Sequence, residues 1–221
     1  MNAMKKRASG ACWTSAAAIF GLIFLAGCTA LPAPPVRPVL YDFGPGQQAA
    51  VPAAGPALAP LALETVDYAS LPDNGSAVYY RLAYADARQL HPYQGARWSQ
   101  PPQQLMRESL QARLGQRRAV IGTGGALAAA RVAGQAPAVL RVELEEFSQV
   151  FTSPAQSVGL VRLRATLTRP AAYGEDLLAQ RLFVAQHSAA SPDAAGGTRA
   201  IAQAAEQVAQ ELAQWLEAGG Y

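Results

Sequence analysis

The chain has 221 residues, 51% hydrophobic and 15% charged, with 18 Lys+Arg against 15 Asp+Glu and two cysteines. Removing the leader that carries Lys5, Lys6 and Arg7 leaves 15 basic residues, all arginine, against 15 acidic ones. A chain with no net positive charge is not built for nucleic acid, and one with Cys12 in its leader and Cys28 at its processing site has no disulfide framework to replace a core.

Residues 1–27 read as a signal peptide: a basic n-region at 5–7, an apolar run from Ala16 to Leu25, then small residues. The apolar run is shorter than the roughly 20 residues a membrane-spanning helix needs. Leu25-Ala26-Gly27-Cys28 resembles the lipobox of bacterial lipoproteins. That resemblance implies cleavage between Gly27 and Cys28, a diacylglyceryl thioether on Cys28, and an acyl chain such as palmitate on its new amine. An uncleaved anchor, or an ordinary secretory signal with an incidental cysteine, is the alternative. Thr29 in place of aspartate favours anchoring at the outer membrane, facing the periplasm, with the inner membrane as the other placement.

Residues 28–60 are rich in Pro, Ala and Gly, a composition that favours extended polyproline geometry, so they read as a lipidated tether. At ~3.1 Å per residue its first dozen residues reach about 40 Å from the bilayer. A short first strand is expected at 40–43, where Tyr41-Asp42-Phe43 alternates in polarity. The remaining 61–221 are long enough for a single domain with its own core.

Within that domain, 61–66 and 77–84 flank the turn signal Pro72-Asp73-Asn74-Gly75 and predict a hairpin. Ser99 followed by Pro101 and Pro102 marks the start of a helix with Leu105, Met106, Leu110 and Leu114 on one face and Gly115 at its end. Strands are expected at 140–145, 160–168 and 178–186; Leu163 and its even-spaced neighbours face a core while Arg162 and Arg164 face water. A last helix, about 198–218, carries Ile201, Ala205, Val208, Leu212, Trp215 and Leu216 on one stripe. The expected fold is α+β, a mainly antiparallel sheet with two helices packed on one face, preceded by the cleaved signal and the tether.

Catalytic and ligand-binding signatures are weak. Val120-Ile121-Gly122-Thr123-Gly124-Gly125 imitates a dinucleotide loop, but Leu127 stands where the third glycine belongs, and the following segment is short for a βαβ crossover. His91 and His187 lack metal-ligand spacing to a second ligand, and each reads as a surface or strand residue. There is no Gly-x-Ser-x-Gly elbow, and Glu143, Glu145 and Glu146 read as a solvated strand edge. No enzyme, cofactor or metal site is expected. The stretch from Val78 through Asp86, with Tyr93, Arg97 and Trp98, is instead rich in aromatic and arginine residues. Tyr79, Arg81, Tyr93, Arg97 and Trp98 are its members expected to stay partly exposed, a mix enriched at protein interfaces.

Three segments, Leu40–Pro45, Tyr80–Asp86 followed by Tyr93, Arg97, Trp98 and Pro102, and Val142–Phe151, together resemble the ABC-type transport auxiliary lipoproteins, the lipoprotein partners of paraquat-inducible intermembrane systems. The resemblance implies a non-catalytic, periplasm-facing component beside an ABC ATPase, a permease and a mammalian-cell-entry domain protein. Such a system moves phospholipid or another hydrophobic molecule. The five residues above are then the expected contact with that protein. The alternatives are an outer-membrane scaffold or assembly factor and, more distantly, an envelope hydrolase.

Overall fold

The computed structural model describes residues 37–45, 57–68, 75–122 and 136–221. The signal, Cys28 and most of the tether therefore lie outside the described residues, as do most of the 72–75 turn and the glycine-rich loop from Thr123. Pro38–Tyr221 forms one compact unit.

Three long strands are its spine: β6 (Ala138–Ser153), β7 (Gln156–Ala171) and β8 (Gly174–Ser188), joined by two-residue turns into an antiparallel meander. They extend well beyond the segments expected from alternation alone. At ~3.3 Å per residue β6 is about 50 Å long, enough to seat two shorter strands end to end. β2 (Leu61–Tyr68) runs parallel to its first half, from Leu61 opposite Ala138 to Tyr68 opposite Leu144. β3 (Ala77–Leu82) runs parallel to its second half, with Tyr80 opposite Gln149.

The predicted hairpin between 61–66 and 77–84 is therefore not formed. Two strands parallel to the same partner cannot be antiparallel to each other. The consecutive burial of Leu61, Ala62 and Leu63 accords with a strand covered on both faces, as parallel strands generally are. β3 finds its antiparallel partner in β4 (Ala87–Trp98), and β4 pairs in parallel with β1 (Val39–Tyr41). β5 (Val120–Ile121) adds to the outer side of β2, also in parallel. The sheet is thus mixed rather than mainly antiparallel.

Helix α1 (Ala83–Asp86) is a single turn between β3 and β4. Helix α2 (Pro102–Leu114) buries Leu105, Met106, Leu110 and Leu114, the expected face, and ends at Gly115. Helix α3 (Ala194–Ala218) lies on β7 and β8, and α2 packs against both β2 and α3, so the two long helices share one layer. α3 starts four residues before the expected Thr198, because Asp193 caps it by accepting a hydrogen bond from the Gly196 N–H at 2.8 Å.

Glycines allow α3 and the sheet to approach closely. A Cβ on Gly197 would lie 1.9 Å from Gln149 Oε1, and one on Gly159 of β7 would lie 2.3 Å from the Ile201 nitrogen. Leu163 is fully buried as expected. Trp215 is only half-buried; it packs edge-on to Phe183 with centroids 5.6 Å apart at the rim of the core.

Candidate functional site

The three segments of the family resemblance converge on one lobe. Asp42 Oδ1 accepts a hydrogen bond from the Gly44 N–H at 2.8 Å, and Gly44 takes a φ of 84°, which ends β1 and turns the chain. Phe43 then meets Trp98 of β4 at 6.0 Å, and Trp98 meets Phe147 of β6 at 5.3 Å. One aromatic cluster thus ties β1, β4 and β6 together. Trp98 is 1% exposed. The expectation that it stays partly exposed is overturned: it alternates with Ala96 on the inward side of β4, where its ring fills the space between Phe43 and Phe147.

Arg81 projects from the opposite side of the sheet, beside Val150 and alternating with Tyr80. Its Nε and Nη2 donate to the two carboxylate oxygens of Glu146 at 3.2 and 3.0 Å, and Nη1 donates to the carbonyls of Ala87 and Arg88. The side chains are 20% and 10% exposed. Ser148 Oγ donates to the same carboxylate at 2.6 Å. Burial, followed by the charge of Glu146, pushes the phenol of Tyr68 well above its ordinary range. Glu146 is therefore a buried anchor that pins the β3–α1–β4 corner onto β6.

The glutamate cluster is not a strand edge. β6 is central, and a bulge between Leu144 and Glu146 distributes three acids to three environments. Glu143 is exposed, Glu145 pairs with Arg162 at 3.0 Å and Arg164 at 2.7 Å, and Glu146 is buried.

Tyr93 lies with Tyr80 on the helix side, ring centroids 4.6 Å apart. Its hydroxyl donates to Gln149 Oε1 at 2.9 Å while Gln149 Nε2 donates to Ser157 Oγ at 2.7 Å, a chain ending beneath the start of α3. Burial pushes the Tyr93 phenol up to about 12, with Tyr80 and Asp193 adding to the shift. Arg97 Nη1 donates to the carbonyls of Tyr93 and Ala96 at 2.7 and 2.9 Å, bracing the stretch of β4 where its pairing with β3 shifts register. Tyr79 shares Arg81's side and is half-buried.

The five candidate residues therefore divide between two faces, and much of their polar capacity is already engaged within the fold. Tyr84 on α1 is the residue that sequence reasoning missed: it is 48% exposed, and Arg88, four positions on, pairs with Asp86 at 3.1 Å while its side chain is 91% exposed. Because α1 is a single turn inside a strand-like pattern, alternation assigned Tyr84 to the core side.

His91 stacks on Tyr80 in β4, and His187 of β8 hydrogen-bonds Gln207 of α3 at 2.8 Å. Among the described residues no three His, Cys, Asp or Glu side chains gather as a metal would require. The opposite sheet face carries paired charges: Glu145 with Arg162 and Arg164, and Arg141 between Glu64 and Glu175. The β3–α1–β4 lobe combines aromatic rings and arginines held in a hydrogen-bonded frame. No helix among the described residues is long and apolar enough to cross a membrane.

Comparison with known proteins gives a family match over residues 41–213, to the ABC-type transport auxiliary lipoprotein component. Among solved structures, a Xanthomonas campestris protein of the DUF330 family superposes with a TM-score of 0.61 at 20% identity, covering 83% of this chain and 94% of its own. An uncharacterized protein gives 0.57 at 17% identity, covering 81% and 99%. A hypothetical protein from Chlamydia trachomatis gives 0.51 at 12% identity, covering 74% and 98%. At these identities the superpositions establish the fold alone. No match is found among curated proteins.

Proposed function

The chain belongs to the ABC-type transport auxiliary lipoprotein family, and from that premise we propose that it is the lipid-anchored, non-catalytic accessory subunit of an ABC-type intermembrane transport system. The observation that carries this reading is the family match from β1 into α3, nearly the whole folded unit. In this reading Cys28 holds the protein on the outer membrane, and the tether lets the domain reach into the periplasm. The domain docks a mammalian-cell-entry domain protein, which connects it to the permease and ATPase. The cargo is phospholipid or another hydrophobic molecule.

We place the docking surface on the β3–α1–β4 lobe. Tyr84, Arg88 and Tyr79 offer the contact, while Arg81, Tyr93, Arg97 and Trp98 hold that lobe in shape. Large aromatics beside arginine supply binding energy at low ordering cost. A double Arg97→Ala, Trp98→Ala change would unseat the core, so the informative variant is Tyr84→Ala with Arg88→Glu.

The test is recovery of the full chain from solubilised membranes by a C-terminal tag. The wild type is expected to bring down the mammalian-cell-entry protein, permease and ATPase, and mass spectrometry is expected to find Cys28 tri-acylated at the new N-terminus. Unmodified Cys28 on the mature chain would overturn the anchor, and recovery without any transporter subunit would overturn the assignment.

A further inference from the structure

We propose that two copies of this chain pair through their β8 strands, antiparallel about a two-fold axis at Phe183, extending the two sheets into one. Among the described residues β8 pairs as a strand only with β7, so beyond Leu178, where the ladder shifts register and the carbonyl accepts from the Tyr221 hydroxyl at 3.5 Å, its other side has no strand partner. Such an edge is a template for another strand, and soluble proteins usually blunt it with lysine, proline or inward-pointing charge. This one carries little of that protection. It contains no lysine or proline, and from Ala179 to His187 its single formal charge is Arg181, on the helix-facing side, drawn over the Phe183 ring at 5.0 Å.

The side chains on the helix-free side of β8 choose the occupant. Reading along the strand they are Gln180, Leu182, Val184 and Gln186, an order of amide, aliphatic, aliphatic, amide. Leu182 is 43% and Val184 46% exposed, beside Arg164 and Arg162 of β7, whose charges are turned toward Glu145.

In an antiparallel pair, directly opposed residues share a face, so the two-fold must pass through a residue. Centred on Phe183, Leu182 opposes Val184 of the second copy and Gln180 opposes Gln186. Four aliphatic side chains then form one cluster, bracketed at each end by an amide pair. Centred on residue 182, Gln180 would face Val184; centred on 184, Leu182 would face Gln186. Only the Phe183 register matches like with like. The axis also places both copies of α3 on the same side of the joined sheet, where the exposed part of Trp215, above Phe183, flanks the seam.

Light scattering of the detergent-solubilised full chain is expected to give twice the monomer mass, halved by Leu182→Lys with Val184→Lys, which puts four like charges at the seam. Register is read by oxidative cross-linking in membranes. Gln180→Cys with Gln186→Cys is expected to give a covalent dimer that reducing agent reverses, whereas Gln180→Cys with Val184→Cys is not. A monomeric wild type, a dimer indifferent to the lysine pair, or equal cross-linking of both cysteine pairs would overturn the proposal.

Discussion

Trp98, Phe147 and Phe183 are the largest fully buried side chains among the described residues. Trp98→Ala is therefore expected to cost about 3–5 kcal/mol, the range for emptying a packed aromatic site. Trp215→Ala is expected to cost clearly less, because the ring already meets solvent on one side; urea unfolding of the two variants makes the comparison. Helical spacing had put Trp215 in the core, and membership of the aromatic- and arginine-rich stretch had put Trp98 partly outside; neither reading could see the neighbours that other elements bring. Periodicity gives a residue's direction on its own element, whereas Trp98 is buried by Phe43, which arrives from a parallel strand more than fifty positions earlier.

The tyrosines give a second expectation at this scale. Tyr68 and Tyr93 both have phenol pKa values raised by burial, so the folded state holds its protons where the unfolded chain releases them. That contribution to stability is fully present below pH about 10 and is lost as the pH rises toward and beyond 12. Thermal midpoints measured from pH 8 to 11 are expected to hold and then fall. Tyr68→Phe and Tyr93→Phe should each make the fall shallower, and an unchanged slope would mean that neither phenol is shielded.

At the scale of elements, α2 was legible almost to the residue, since proline at its start, glycine at its end and a four-residue apolar face all arise within the helix itself. The β2–β3 pairing was not. Pro-Asp-Asn-Gly is a strong local turn signal, but β6 offers one long edge to both strands, and a partner about 75 positions away decides their direction. The start of α3 was placed at about 198, past the Asp193 cap and the glycines whose close approach to β6 the packing requires. Gly159→Ala is therefore expected to destabilise by about 1–3 kcal/mol, as overpacking does, by pushing α3 off β7. A neutral result would show that α3 can shift outward freely.

Arg81 and Glu146 join elements as well. Removing one partner of a fully buried pair costs about 3–5 kcal/mol, and the residual exposure of Arg81 reduces that here. Glu146→Gln is expected to loosen the β3–α1–β4 corner, seen as faster amide exchange at Ala83–Asp86, while α3 keeps its protection. Uniform acceleration across both would mean that the pair supports the whole domain rather than one corner.

For the whole molecule, three dispersed segments carried the family in the sequence, while the candidate contact surface was only half visible. The segments most diagnostic of the family turn out to be a frame: Phe43 on Trp98, Tyr80 on Phe151, Arg81 on Glu146. Residues that must fit one another leave a recognisable pattern, whereas Tyr84 and Arg88 need only reach a partner, and nothing in the chain alone marks them.

The claim that this frame presents a docking surface is tested most directly by binding. The lipidated full chain in nanodiscs, titrated with the purified mammalian-cell-entry domain protein, is expected to bind saturably. Tyr84→Ala with Arg88→Glu should weaken binding about tenfold or more without changing the thermal midpoint. No binding at roughly tens of micromolar, or binding that the double variant leaves untouched, would contradict the account.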